Sequence, residues 1–323
     1  MERQKLGRTG FDVAPLALGG NVFGWTADEA TSFRVLDAFV DAGGNLIDTA
    51  DSYSRWAPGH AGGESETVIG RWIARRGRHD DVVIATKVGS DMGQGKCLRR
   101  DYILRAAEQS LSRLHVDAID LYQSHWDDET TPFDETLDAY ARLIEQGKVK
   151  AIGASNLSAA RLSQALEVSA REGLPRYQTL QPLYNLYSRD EFEGALCELC
   201  LREDVGVITY FSLAAGFLTG KYRTAADATK SARGEGIVKK YLNPRGMAIL
   251  DALDNVASRV HATPAQVALA WLMARPGVTA AIASATSVDQ LRELVGAMRL
   301  ALDEVDMREL DAASDPSPDN VLS

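Results

Sequence analysis

Asp48, Tyr53, Lys87 and His125 are side chains of the types that move a proton to or from a carbonyl or hydroxyl oxygen. A free phenol has a pKa near ~10, too high for efficient proton transfer at neutral pH. An ammonium beside it favours the phenolate and lowers that value. A carboxylate beside the lysine keeps it charged and oriented, and an imidazole can donate a hydrogen bond to a substrate oxygen. Together they form a tuned proton donor next to a polarised oxygen, which suits carbonyl reduction. No protein side chain supplies a hydride, so this chemistry demands a nicotinamide or flavin cofactor. Taken singly, each residue has a plainer reading; a lysine buried against an aspartate is a common structural ion pair.

The elements that must bring these four together are short apolar runs. They are "LALGG" (16–20), "NLID" (45–48), "VVIATK" (82–87), "AIDLYQSH" (118–125), "VKAIGASN" (149–156), "TLQPLYN" (179–185), "GVITYFS" (206–212) and "TAAIASA" (279–285). Longer segments of helical periodicity separate them. "FRVLDAFVDAG" ends in Gly43, a C-cap residue. "TPAQVALAWLMAR" offers Thr263 as N-cap, Pro264 at the first helical position and Gln266 to complete a capping box, and Ser287 with Gln290 repeats that logic. Eight strand–helix alternations predict one α/β domain over residues 1–323, a closed (β/α)8 TIM barrel, with a doubly wound open sheet as the alternative. A hairpin precedes it, "RQKL" and "FDVA" joined by "GRTG". Residues 218–246, rich in Gly, Lys and small residues, read as a long loop, and 314–323 as a frayed tail.

In such barrels the chemistry sits at the C-terminal ends of the strands. The ends of the eight runs carry Gly20, Asp48, Lys87, His125, Asn156, Gln181 or Asn185, Tyr210 with Ser212, and Ser284. One carboxylate, one ammonium, one imidazole and a nearby phenol therefore fall on one face.

Composition narrows the remaining classes. The 323 residues are 45% hydrophobic and 25% charged, ordinary for a globular chain. A net charge of −10 with no Lys/Arg-rich run argues against nucleic acid as a partner. No stretch approaches the roughly 20 continuous apolar residues of a membrane span, and the amino terminus lacks a secretory core. Three cysteines make no disulfide framework, which suits a cytoplasmic protein. Cys197 and Cys200 lack a second ligand pair and read as small residues facing a core.

The stretches "DTADSY", "GGESETVIGRWI", "IATKVG", "IDLYQSHW", "GKVKAIGASN", "QPLYN" and "AGFLTGKYR", in this order, resemble the aldo-keto reductase family over nearly the whole chain. The likeness is to its bacterial aryl-alcohol-dehydrogenase-like members. It implies a barrel closed at the bottom by the hairpin, and NAD(P)(H)-dependent reduction of aldehydes or ketones. By position it makes Tyr53 the general acid, Lys87 and Asp48 its partners, and His125 the residue that orients the carbonyl. It assigns Ser155, Asn156 and Gln181 to the nicotinamide carboxamide and stacks Tyr210 on the ring. Ser212, Leu213, Gly216 and Lys221 would line the pyrophosphate. Gly20, Ser284, Thr286, Gln290 and Glu293 complete the nucleotide face. No G-x-G-x-x-G follows a strand, so a dinucleotide-binding open sheet has no support.

The likeness loosens near the last strand. Ser284, Thr286 and Gln290 stand where the family often has Lys or Arg for the 2′-phosphate, and Arg292 is the only cation nearby. NADP(H) is the cofactor the family favours, and NAD(H) stays open. Phe23, Trp25, Trp56 and Trp126 are expected to form the substrate pocket, with Trp56 alternatively a loop anchor. The expected substrate is a small carbonyl or alcohol. Two other classes compete: a cofactor-binding redox-sensing subunit of slow turnover, which the four intact residues permit, and a metallohydrolase suggested by His125, Asp127 and Asp128. The latter lacks ligands from other strands.

Overall fold

A computed structural model of the chain describes residues 2–316. The hairpin pairs β1 (Gln4–Lys5) with β2 (Asp12–Val13) antiparallel. Eight parallel strands follow: β3 (Leu16–Gly19), β4 (Leu46–Asp48), β5 (Val83–Val88), β6 (Ile119–Ser124), β7 (Val149–Ser155), β8 (Thr179–Gln181), β9 (Gly206–Thr209) and β10 (Val278–Ala283). Each bonds to the next, and β10 bonds to both β9 and β3, so the sheet closes. The open-sheet alternative is thereby excluded.

Helices fill the crossovers: α1 (Glu29–Asp41), α2 (Glu64–Arg76), α3 (Arg100–Leu114), α4 (Phe133–Glu145), α5 (Ala159–Glu172) and α6 (Ala195–Glu203). Beyond β9 come α7 (Gly234–Tyr241), α8 (Pro244–Val260) and α9 (Pro264–Met273), and after β10 come α10 (Val288–Gly296) and α11 (Glu304–Ala313). Among the described residues no helix is long and apolar enough to cross a membrane.

Strand periodicity explains where the site can be. Alternate residues face the barrel interior. At its lower end Ala17, Leu46, Val83, Ala85, Leu121, Ala151, Ile208 and Ala280 form one apolar cluster, plugged by Leu6 and Val13 of the hairpin. Two residues further along three of these strands the interior turns polar: Leu46 leads to Asp48, Ala85 to Lys87 and Leu121 to Gln123, and on β8 Thr179 and Gln181 face the same interior, all buried. The outward-facing alternates Leu18, Ile47, Ile84, Tyr122, Ile152, Leu180 and Val207 join the larger core, which the helices cover.

Several local expectations are met and others corrected. Thr263 and Gln266 form the reciprocal capping box of α9. Ser287 caps α10, but the Gln290 side chain accepts instead from Thr286 N at 2.9 Å and Thr286 Oγ1 at 3.0 Å. Residues 218–246 are not one open loop. They hold the end of a 3₁₀ segment (Ala214–Thr219), a second one (Ala225–Lys230), α7 and the start of α8. A Thr224–Asp227 capping box and burial of Ile237 and Tyr241 order a stretch too short in period to announce itself. Ser314, placed in the frayed tail, is buried and accepts from Arg189 Nη1 at 2.9 Å. Residues 317–323 of that tail lie outside the described residues. Cys200 is buried in α6, while Cys197 is only partly so, its Sγ 3.6 Å from Pro276 O.

Gly153 of β7 faces the crowded interior beside Gln123 and Thr179. A β-carbon there would sit 2.0 Å from Thr179 Oγ1 and 3.2 Å from the Thr179 carbonyl. Gly153→Ala is expected to destabilise the fold by about 1–3 kcal/mol, the usual cost of overpacking. The Thr179→Ala partner change should recover part of that loss in chemical unfolding.

Candidate active site

Tyr53, Lys87 and Asp48 meet at the upper end of the barrel. Lys87 reaches its position because β5 is buried along its whole length and its inward face ends in that residue. The Nζ donates to Asp48 Oδ2 at 2.7 Å, to Tyr53 Oη at 2.7 Å and to the Thr49 carbonyl at 2.9 Å. All three N–H bonds of the ammonium are thus used. The Tyr53 hydroxyl donates to Asp48 Oδ2 at 3.1 Å. Asp48 Oδ1 accepts from Gln181 Nε2 at 2.8 Å.

The environment sets the charges. Burial pulls Lys87 down, and Asp48 opposes it. The Tyr53 phenol is held well above its ordinary value, chiefly by burial and then by the Asp48 charge. The sequence-based expectation of a lowered phenol is therefore corrected: burial and the Asp48 carboxylate raise it. A phenol so held is protonated at neutral pH, the form a proton donor needs. His125 is pushed well below its usual value by burial and by the Lys87 charge, so its imidazole is neutral. It follows the end of β6, its backbone N–H donating to Val88 O at 2.7 Å, with its ring centroid 6.0 Å from that of Tyr53. Ser52 Oγ lies 3.4 Å from its Nδ1.

A chain of hydrogen bonds runs from this cluster across three strands. Ser155 Oγ donates to Gln181 O at 2.7 Å, and Asn156 Nδ2 donates to Ser155 Oγ at 3.0 Å and His125 O at 2.9 Å. Tyr210 Oη donates to Asn156 Oδ1 at 2.7 Å. Asn156 sits at φ 57°, in the left-handed region that Asn tolerates. That turn at the end of β7 aims its amide across the barrel mouth.

Beyond β9 the backbone is unusual. Phe211, Ala214 and Ala215 have φ of 52°, 47° and 58°, and Gly216 has 97°. Within this turn the Ala214 N–H donates to Phe211 O at 2.7 Å and the Gly216 N–H to Leu213 O at 2.8 Å. Lys221 arches over that turn: a β-carbon on Gly216 would lie 3.6 Å from its Nζ. Leu213 is part-exposed in the same turn. The Ser212 side chain is not available, being buried against Thr209 O and Oγ1 at 3.2 Å. The residues fit a nicotinamide nucleotide in kind: amides and a hydroxyl near Asp48, an aromatic ring, and a cation over a turn of left-handed residues.

The remaining expectations divide. Ser284 Oγ donates to Asn21 Oδ1 at 2.5 Å across the β10–β3 seam. Thr286 and Gln290 meet at the start of α10, Glu293 lies further along that helix, and Arg292 pairs with Asp289 in an exposed ion pair at 3.0 Å. Gly20 is buried against Ser65 and the Asp48 carbonyl, where a β-carbon would be 2.8 Å from Ser65 Oγ, so its part is close packing. Phe23 is fully buried in the main core and lines no open surface. Trp25 and Trp56 meet edge to face at 5.6 Å, Trp56 lies 6.0 Å from Tyr53, and Trp126 stacks on His125 at 6.0 Å. The three tryptophans thus lie beside Tyr53 and His125. Asp127 is taken by Arg161 and Asp128 by Leu98 N and Thr131 Oγ1, so neither faces His125 as a ligand partner. Sequence reading missed Thr49 and Ser52. The first acts through a backbone carbonyl, which carries no residue signal, and the second was hidden inside "DTADSY".

Residues 15–315 match the model of the aldo/keto reductase family. The oxidoreductase YrpG of Bacillus subtilis (strain 168) is 35% identical over 96% of this chain and 95% of its own. The protein Tas of Escherichia coli (strain K12) is 32% identical over 97% of each chain. A probable voltage-gated potassium channel subunit beta of Oryza sativa subsp. japonica is 33% identical over 92% of this chain and 91% of its own. A whole-length family match laid on a closed barrel leads to one conclusion: the chain belongs to the aldo/keto reductase family, a family of oxidoreductases.

Proposed function

We propose that the protein reduces aldehydes or ketones, and reversibly oxidises the corresponding alcohols, with Tyr53 as the general acid. The observation that carries this reading is the Lys87 ammonium bonded at once to Asp48 and to the Tyr53 hydroxyl. A nicotinamide nucleotide would supply the hydride. Tyr53 gives its proton to the carbonyl oxygen, and the charge then left on its oxygen faces the Lys87 Nζ at 2.7 Å. Asp48 holds that ammonium in place and keeps it charged. The neutral His125 imidazole donates one N–H to the same substrate oxygen and adds no charge of its own. Gln181, Ser155 and Asn156 would hold the carboxamide, Tyr210 the ring, and the 213–216 turn with Lys221 the pyrophosphate.

For the nucleotide, the family favours NADP(H). NAD(H) is supported by the Ser284–Gln290 segment, which brings no lysine or arginine to the start of α10, while Arg292 faces Asp289. For the substrate, Trp25, Trp56 and Trp126 around Tyr53 favour aryl or similarly flat carbonyl compounds.

A second reading draws on the rice relative named as a potassium channel subunit beta. It makes this chain a nucleotide-binding subunit that turns over slowly and reports redox state.

Tyr53→Phe is expected to lower kcat/KM for an aryl aldehyde by about 10²–10⁴-fold, the range for loss of a general acid, while nucleotide affinity stays within a factor of two. Oxidation of NADPH and NADH, followed separately by absorbance, checks this. Tight nucleotide binding by the wild type with no turnover on any aldehyde or diketone would favour the subunit reading. Lys221→Ala is expected to weaken nucleotide binding by roughly tenfold or more, the loss of one charge-assisted contact. Fluorescence titration reads it, and an unchanged dissociation constant would remove Lys221 from the site.

A further inference from the structure

Asp51 is a buried carboxyl that the proposed chemistry does not use. It lies two residues before Tyr53, 5% exposed, and its backbone N–H donates to the Lys87 carbonyl at 3.2 Å. Its Oδ1 is buried with no hydrogen-bond partner among the described residues. The neighbouring Tyr122 hydroxyl, on β6, is also buried and, among the described residues, without a hydrogen-bond partner. On α2, Glu66 is fully buried and accepts from Thr86 Oγ1 at 2.5 Å and from Arg113 Nε at 2.7 Å. The charged and titratable groups facing Asp51 are Lys87 from β5, Glu66 from α2, Arg113 and Tyr102 from α3, Tyr122 from β6 and Tyr140 from α4.

A charge count singles this residue out. Asp48, Asp51 and Glu66 are three buried carboxyls, and Lys87 and Arg113 are the two cations among them. Lys87 is already paired with Asp48, and Arg113 with Glu66. An ionised Asp51 would be an uncompensated charge away from water, which is costly. Burial and the Glu66 charge accordingly push its carboxyl up to about 7, against the pull of Arg113, the Ser52 backbone N–H and Lys87.

We propose that Asp51 is a positioning residue that sets the acidity of Tyr53 through its own proton. With the proton on, the four paired groups around it are neutral in sum, and Tyr53 gives up its proton to substrate. With the proton off, an extra negative charge behind Lys87 holds the proton on Tyr53 and slows reduction. The inference rests on the role proposed for Tyr53. Burial holds the Tyr53 phenol above and the His125 imidazole below their ordinary values, and comparison with Asp51→Asn separates the Asp51 proton from both.

The test is the single-turnover rate of nucleotide oxidation between pH 5 and 9 at saturating aryl aldehyde, for wild type, Asp51→Asn and Tyr53→Phe. A change of one unit in the proton affinity of Tyr53, about half expressed in the transition state, alters the rate by about threefold. The wild-type rate should fall by about threefold or more as pH rises through 7. Asp51→Asn should be flat over that window, with nucleotide affinity unchanged. An Asp51→Asn profile that keeps the wild-type fall overturns the proposal. A Tyr53→Phe variant as fast as wild type overturns the Tyr53 reading instead.

Unfolding midpoints give a second readout that needs no catalysis. The folded Asp51 value lies above its unfolded value near ~3.9, so its contribution to stability is full below that pH and lost as pH rises through about 7. Relative to wild type, Asp51→Asn should therefore gain melting temperature between pH 5 and 8. A difference that does not change with pH also overturns the proposal.

Discussion

The ammonium of Lys87 organises the upper half of this molecule. It is buried, and each of its three protons meets an oxygen: a carboxylate, a phenol and a backbone carbonyl. A cation without water survives only when such partners are supplied together. Asp48 and Thr49 come from the end of β4, Tyr53 from the turn that follows, and Lys87 from the next strand, which bonds to β4 in parallel register. The register is what makes the triad possible. Asp48 pairs across the ladder with Ala85, so Lys87 extends two residues beyond it and its long side chain bends back over the carboxylate.

From Asp48 the same constraint passes outward. Gln181 is bound to Asp48, Ser155 to Gln181, Asn156 to Ser155, and Tyr210 to Asn156. The residues proposed to hold the nicotinamide are therefore tied to the residues proposed to protonate the substrate by contacts within the protein. A shift in one is felt by the other, because the inner groups of the chain are buried and few alternative partners exist. The left-handed Asn156 and the Phe211–Gly216 turn are the places where the backbone departs from easy conformations, and both lie on this face.

How much of this could be read from the residues alone follows from what the residues encode. The eight strands were legible because each is a short apolar run, and their inward periodicity placed Asp48 and Lys87 on one face. Thr263 and Gln266 announced a helix start because capping uses side chains. What was missed acts by other means. The Thr49 carbonyl belongs to no residue type, and the link from Gln181 to Asp48 joins positions 48 and 181, which only barrel closure brings together. Phe23 looked like a pocket wall because it is aromatic and near the site, yet its direction is inward. The 218–246 segment looked like a loop because its helical pieces are too short to show a period. The phenol was misjudged in sign, because desolvation depends on burial and burial is a property of the fold.

The charges beneath the barrel mouth argue for function more strongly than for stability. Buried ion pairs are often no better for folding than well-packed apolar side chains of similar volume, since desolvation offsets their attraction. Lower down, the same strands solve that problem with Leu46, Ala85 and Leu121. Two residues further on they place Asp48, Lys87 and Gln123 instead, and near Lys87 the protein also buries Asp51 and Glu66, with the part-buried Arg113 against Glu66. A chain under pressure only to fold would have continued the apolar layers to the top. That it builds a nearly neutral but densely charged cluster there, and leaves Asp51 Oδ1 without a partner among the described residues, is understandable if the cluster's task is to move a proton whose energy depends on every charge around it.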